Sequence, residues 1–191
     1  MNLEMLEPFC SGYTEKMLKP WSRGEFTYAS DGFCVVRVPR MADAPEIPNP
    51  VNAEAIFNVT PEPTEGFIAL PSIEEIGELK DCPKCHGKVI RECQECGGDG
   101  ELELESDFNT YTVECKSCGG NGEECAECRG LGFIEPTPHC KIGNARFTTG
   151  YIRAFMKLPG AVIAVNLLPN KASWIKFKGG DGLVMAVTEC H

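Results

Sequence analysis

Four Cys-x-x-Cys pairs, Cys82/Cys85, Cys93/Cys96, Cys115/Cys118 and Cys125/Cys128, lie between residues 82 and 128 and use eight of the chain's 12 cysteines. Thiolates at this spacing are zinc ligands, and two such knuckles supply the four sulfurs of a tetrahedral site. Eight sulfurs make two closed sites, so the expected cofactor is Zn2+, two ions per chain. A closed four-sulfur site has no open position for water or substrate, which makes it structural rather than hydrolytic. Three pairs are followed by glycine at the second and fourth positions after the second cysteine: Gly98 and Gly100, Gly120 and Gly122, Gly130 and Gly132. There the chain turns so that backbone N–H groups point at thiolate sulfur, a path that favours φ > 0 and hence glycine.

The segment between the second and third pairs decides which knuckles meet. Glu101-Leu102-Glu103-Leu104-Glu105 alternates charged and apolar residues, Ser106-Asp107-Phe108-Asn109 is turn-forming, and Thr110-Tyr111-Thr112-Val113-Glu114 is β-rich. This predicts a hairpin that brings the second and third knuckles together at its base. The outer linkers, residues 86–92 and 119–124, are nearly equal in length and let the first and fourth knuckles meet as the next layer. Nested pairing puts Cys82, Cys85, Cys125 and Cys128 on one zinc and Cys93, Cys96, Cys115 and Cys118 on the other. Sequential pairing, first with second and third with fourth, is the alternative.

The repeat reads Cys93-Gln-Glu-Cys96-Gly-Gly98-Asp-Gly100, Cys115-Lys-Ser-Cys118-Gly-Gly120-Asn-Gly122 and Cys125-Ala-Glu-Cys128-Arg-Gly130-Leu-Gly132. It resembles the zinc-binding region of DnaJ-type co-chaperones. The first copy carries Val89 in place of the final glycine, which loosens its turn but removes no ligand. The resemblance implies that the first and fourth copies share one zinc and the second and third the other. It ends at the module's edges: there is no His-Pro-Asp tripeptide and no Gly/Phe-rich linker. Stimulation of an Hsp70-type ATPase is therefore not expected, and what carries over is zinc binding and a protein-contact role.

The flanks read as an α+β domain. Leu3, Met5, Leu6, Phe9 and Cys10 fall near helical spacing over Asn2 to about Tyr13, with Pro8 awkward inside it. Residues 25–29 and 33–38 predict strands joined by the tight turn Ser30-Asp31-Gly32. Residues 39–71 hold seven prolines and predict a mostly extended connection with one apolar island at Ala55-Ile56-Phe57. Residues 66–70 predict a short strand, and 71–79 a helical turn. Beyond the cysteines come a strand over 144–148, a helix capped by Thr149-Gly150, and strands over 161–166, 173–178 and 183–188, the last two joined by Gly179-Gly180-Asp181-Gly182.

Ala29-Ser30-Asp31-Gly32 after a strand, together with the run Phe147 to Val187 containing Tyr151-Ile152-Arg153 and Leu158-Pro159-Gly160, resembles one domain of a DNA sliding clamp, the bacterial polymerase processivity ring. That resemblance implies a clamp-like fold, helix plus hairpin then β-α-β-β-β, with the two-zinc β-hairpin module inserted. The expected organisation is a discontinuous domain, residues 1–79 and 136–191, around an insertion at 80–135. A clamp-like domain present once per chain encircles DNA only by assembling several copies, so homo-oligomerisation is an expectation too.

Charge limits the partners. The net charge is −10. Residues 1–79 hold 5 basic and 13 acidic groups, residues 80–135 hold 6 and 13, and residues 136–191 hold 7 and 2. Each tetrathiolate zinc site adds about −2 to the module, so it repels phosphate backbones and meets protein instead. Any DNA contact falls to the C-terminal segment, with Arg146, Arg153, Lys157, Lys171, Lys176 and Lys178. No apolar run approaches a membrane span, and Met1-Asn2-Leu3-Glu4 lacks a signal-peptide start. Reduced cysteines and a cytoplasmic location are expected.

Other residues invite chemistry without carrying it. His86 follows Cys85, but eight thiolates already fill two sites. His139-Cys140 and Cys190-His191 read as ordinary residues near strand ends, and Cys10 and Cys34 as buried free thiols. No Ser-His-Asp set, paired catalytic carboxylates or phosphate-cradling loop is present, so no enzyme is expected. The leading expectation is a non-enzymatic accessory or adaptor in DNA replication or a related transaction. A phage or prophage origin suits such a mixture of small modules. The alternatives are a chaperone-like binder of unfolded clients and a dithiol oxidoreductase.

Overall fold

The structure, a computed structural model, describes residues 2–10, 17–47, 52–87, 90–91, 93, 95–97, 99–117, 123–125, 127–128, 131–166, 168 and 171–187. The fold is mixed α+β, mostly sheet, and divides into two compact units: Met1–Ile76 with Thr137–His191, and Gly77–Pro136. The elements before the cysteines are β1 (Trp21–Arg23), β2 (Phe26–Ser30), β3 (Cys34–Pro39), α1 (Ala53–Val59), β4 (Phe67–Ala69) and α2 (Ile73–Ile76). The second unit holds β5 (Lys80–Asp81), β6 (Ile90–Arg91), β7 (Glu101–Glu105), β8 (Thr110–Glu114), β9 (Glu123–Glu124) and β10 (Phe133–Ile134). The chain then returns through β11 (His139–Ile142), β12 (Ala145–Thr148), α3 (Thr149–Met156), β13 (Val162–Ala164), β14 (Ala172–Phe177) and β15 (Gly180–Met185).

In the first unit, seven antiparallel strands form one sheet in the order β1-β2-β3-β15-β14-β13-β4. Successive side chains on a strand point to opposite faces, and here both faces are covered. Cys34, Val36 and Val38 of β3, Ile163 of β13, Ile175 of β14 and Val184 of β15 join Ile152 and Phe155 of α3 in one core. Val35, Ala164, Trp174 and Leu183, their neighbours along the same strands, join Ala53 and Phe57 of α1 in the other. Gly182 has a packing reason: a Cβ there would stand 2.9 Å from the Val35 carbonyl and 3.0 Å from the Phe155 ring.

Several expectations are corrected. The N-terminal helix is instead two short 3₁₀ turns, Leu3–Met5 and Glu7–Phe9, closed by bonds such as Leu6 N–H to Leu3 O (2.8 Å) and Cys10 N–H to Glu7 O (2.9 Å). Pro8 has no N–H to continue an α-helical ladder, yet Leu6 and Phe9 still reach the core. The proline-rich connection contains the helix α1. Ala53 and Phe57, one turn apart, are buried, with Phe57 edge-on to Trp174 at 5.5 Å and the Arg37 guanidinium 4.0 Å from its ring centre. Strands β1 and β11 were not expected. Helix α3 starts at Thr149, with the extended Thr148 in the N-cap position, and the Thr149 N–H donates to Pro138 O (3.0 Å). The β14–β15 turn is shorter than expected, with Phe177 paired to Gly180, and only Gly179 carries the positive φ (+96°).

The second unit is a nest of two-stranded ladders. β5 pairs with β10, β6 with β9 and β7 with β8. The predicted hairpin at 101–114 is present, with register Glu101↔Glu114 through Glu105↔Thr110. Among the described residues no helix is long and apolar enough to cross a membrane.

Candidate metal centre

A ladder of two residue pairs is too short to hold itself together in water. Each short ladder of the second unit leads instead into a cysteine cluster. Between β5–β10 and β6–β9 sit Cys82, Cys85, Cys125 and Cys128; between β6–β9 and β7–β8 sit Cys93, Cys96 and Cys115. All are buried, and within each group the sulfurs lie within 4.8 Å of one another. The order is the nested one, first knuckle with fourth and second with third. Cys118, the expected fourth ligand of the inner site, lies outside the described residues.

The geometry suits zinc. A Zn–S bond of about 2.3 Å gives a tetrahedron whose sulfurs stand about 3.8 Å apart. Cys82 and Cys125 sulfurs are 3.8 Å apart, Cys85 and Cys128 3.6 Å, and Cys93 and Cys115 3.8 Å. Backbone N–H groups also bear on sulfur. The Cys128 N–H above all, working against desolvation and helped by the Glu127 N–H, brings the Cys125 thiol down to about 7 from its ordinary 9.0. This favours thiolate, the form that ligates metal. Among the described residues each cluster has one partly buried apolar cover, Ile134 over the outer and Leu102 over the inner.

The final glycines of the second and fourth repeats explain the nesting. Gly100 donates its N–H to Cys96 Sγ (3.3 Å), while its carbonyl accepts from Cys115 N–H (2.8 Å). Gly132 donates to Cys128 Sγ (3.3 Å) and accepts from Cys82 N–H (2.9 Å). Each glycine therefore bears on the sulfur of its own knuckle and ties that knuckle to the other knuckle of its cluster. Both take positive φ, +80° and +78°. Val89, the exception in the first repeat, lies outside the described residues. The distortion visible in that repeat is at His86, which takes φ +51° where the second repeat has Gly97 at +67°.

Sequence reasoning did not single out Glu95. Its carboxylate accepts from the Ser117 hydroxyl and stands 3.9 Å from Cys115 Sγ. It sits between two ligands in its own knuckle, which is the only signal the sequence offered. His86 belongs to neither sulfur group, and among the described residues His139 and Cys140 belong to no metal-ligating group. Cys190 and His191 lie outside the described residues.

Cys34 is buried and Cys10 partly so. Burial pushes Cys10 up to about 11 and Cys34 well above the ordinary thiol value. Of the expected basic residues, Lys176 pairs with Glu62 and lies over the Phe67 ring, and Arg146 and Arg153 also have interaction partners. An open groove of about 270 Å3 in the sheet unit is lined by Pro61, Pro63, Glu65, Gly66, Ala164, Val165, Asn166 and Trp174. It holds one carboxylate and no cysteine, histidine or lysine.

The chain matches no protein-family model, no curated protein and no solved structure.

Proposed function

We propose that the chain is a non-enzymatic zinc-binding accessory or adaptor protein that acts through protein contacts in DNA replication or a related transaction. The observation that carries this reading is the pair of buried cysteine clusters, four sulfurs in the outer and three described in the inner, at tetrahedral spacing. Two tetrathiolate zincs would fold the module around Cys82, Cys85, Cys125 and Cys128 and around Cys93, Cys96, Cys115 and Cys118, leaving its surface for recognition. The reduced cysteines this requires suit the cytoplasm.

The sheet unit supplies the replication half of the proposal. The Ser30-Asp31-Gly32 turn joins β2 to β3, and β13, β14 and β15, which follow α3, join the same antiparallel sheet while β12 pairs with β11, an arrangement compatible with a clamp-like domain. Exposed Arg146, Lys157, Lys171 and Lys178 are its candidate DNA contacts. A second reading, chaperone-like binding of unfolded chains, is favoured by the apolar side chains exposed on the 101–114 hairpin.

Native mass spectrometry tests the proposal in one measurement. Two zincs per chain and a multimer are expected. Fewer than two zincs, or disulfides within residues 82–128, would remove the structural-metal reading, and a monomer would end the ring. Salt-sensitive DNA binding weakened by Lys157→Glu with Lys178→Glu supports the clamp-like role. Suppression of client aggregation that is lost on deleting 101–114 moves the function to the chaperone reading.

A further inference from the structure

The β7–β8 hairpin has two faces of opposite character. Leu102 stands opposite Val113 and Leu104 opposite Tyr111, while Glu101, Glu103 and Glu105 stand opposite Glu114, Thr112 and Thr110. Opposed residues share a face and alternate pairs switch face. Leu102, Leu104, Tyr111 and Val113 therefore form one apolar stripe, and four glutamates lie on the reverse. Leu102 covers the inner cysteine cluster, but Leu104, Tyr111 and Val113 are 51%, 54% and 39% exposed, and Phe108 in the turn is 90% exposed. Among the described residues nothing pairs with the outer edge of either strand.

Among the described residues the acidic face has no ion-pair partner. No lysine or arginine occurs between Arg91 and Lys116, a stretch with eight acidic residues. Glu101 and Glu114 face each other directly, a repulsive cross-strand pair. A cationic partner relieves this repulsion, and an apolar one covers the stripe.

Building on the reading of this unit as a zinc-held protein-contact module, we propose that the hairpin docks an extended polypeptide segment in which Lys or Arg alternates with apolar residues. An added strand takes main-chain hydrogen bonds along a free edge and sends alternate side chains to opposite faces. Its apolar residues extend the Leu104–Tyr111 stripe while its cations meet Glu101, Glu103, Glu105 and Glu114. Phe108 offers an aromatic anchor at the tip. A nucleic acid does not satisfy this surface, since its phosphates would face carboxylates.

The test uses the full zinc-loaded chain and fluorescence anisotropy with a labelled peptide of alternating Lys and Val. Comparison peptides replace Lys by Glu, or Val by Ser. The Lys/Val peptide is expected to bind, more weakly as salt rises, and both comparison peptides to bind at least about tenfold more weakly, a difference of about 1.4 kcal/mol. Leu104→Ser with Tyr111→Ser, and separately Phe108→Ala, should each weaken the Lys/Val peptide about tenfold while two zincs per chain remain. The docking proposal is overturned if a chain holding two zincs ignores the Lys/Val peptide, binds the Lys/Ser peptide equally, or is unaffected by these substitutions. Equal binding of a denatured acidic client overturns it too. A chain with fewer than two zincs instead overturns the reading on which the proposal rests.

Discussion

The two units of this chain are held together by different materials. The sheet unit buries Trp21, Tyr28, Phe9, Phe147, Phe155 and a full set of aliphatic side chains. Among the described residues of Gly77–Pro136, only seven cysteines, Gly100 and Gly132 are buried. Apolar burial stabilises the first by roughly 25 cal/mol per Å2 removed from water. The second has almost no such area, so its ladders and glycine turns depend on what the sulfurs bind. Cysteine itself behaves differently in the two places. Backbone N–H groups draw the Cys125 thiol down towards neutral pH, whereas burial keeps Cys10 and Cys34 protonated as small apolar side chains.

Metal removal is the largest test of this contrast. Structural zinc sites contribute on the order of 10–16 kcal/mol of apparent binding free energy at neutral pH, far more than a unit of this size supplies from its own core. Stripping the metal with a chelator should abolish hydrogen-exchange protection at Cys82, Gly100, Cys115 and Gly132. Trp21 and Trp174 both lie in the other unit, so tryptophan emission should stay native. An emission shift that tracks metal loss would mean that the sheet unit does not stand alone.

Phe155→Ala reverses the experiment. Phe155 is fully buried, meets Phe9 at 4.7 Å and lies over Gly182. Its removal should cost about 3–5 kcal/mol in denaturant unfolding followed by tryptophan emission, with zinc content still at two per chain. Loss of zinc in this variant would break the separation from the other side.

Legibility in the sequence followed the same division. The cysteines of each pair are separated by two residues along the backbone, so the knuckles, the 101–114 hairpin and the nesting could be read from local spacing. Gly100 and Gly132 were legible as turn residues, though not as the ties between paired knuckles, because Cys115 and Cys82 approach them only in the fold. In the sheet unit, the valine-rich strand β3 and strand β14, with Trp174, Ile175 and Phe177, were evident. Helix α1 was not, because its seven residues gain their stability from Trp174 and Arg37, which lie far away in sequence. The pairing of β3 with β15, tied by the Arg37–Asp181 ion pair at 2.7 Å, is likewise a long-range contact without a local signature.

Gly132→Ala and Gly100→Ala probe the ties between knuckles. A side chain at φ near +80° is strained by about 1–2 kcal/mol, and relaxing that strain moves the N–H away from the thiolate. Zinc affinity measured by competition with a chelating dye should fall about tenfold at the site concerned. An unchanged affinity at both sites would reduce these glycines to passive turn residues.

The sheet unit's thiols give a pH test of opposite sense. Cys10 and Cys34 have folded values raised above the ordinary 9.0, chiefly by burial, with Glu7 adding to it for Cys10 and Asp31 for Cys34. A raised thiol means that the unfolded chain ionises first. The stabilisation is therefore complete below about pH 9 and is lost as pH climbs towards 11 and beyond. Urea midpoints should hold steady to pH 8.5 and then fall, and Cys34→Ala should make the fall shallower. Fast alkylation of Cys34 in the native protein at pH 8 would contradict its burial.

The smallest expected effect is also the sharpest on ligand identity. His86 takes φ +51° immediately after Cys85, the position at which the second repeat places Gly97. A non-glycine residue pays strain there, and His86 stands outside the outer sulfur group. His86→Gly should therefore stabilise the zinc-loaded unit by about 1 kcal/mol and leave two zincs per chain. A ligating histidine would give the opposite sign, with loss of metal from the outer site and collapse of the β5–β10 ladder. A zinc titration of this one variant thus decides between a strained turn residue and a metal ligand, and tests whether sulfur alone closes the outer site.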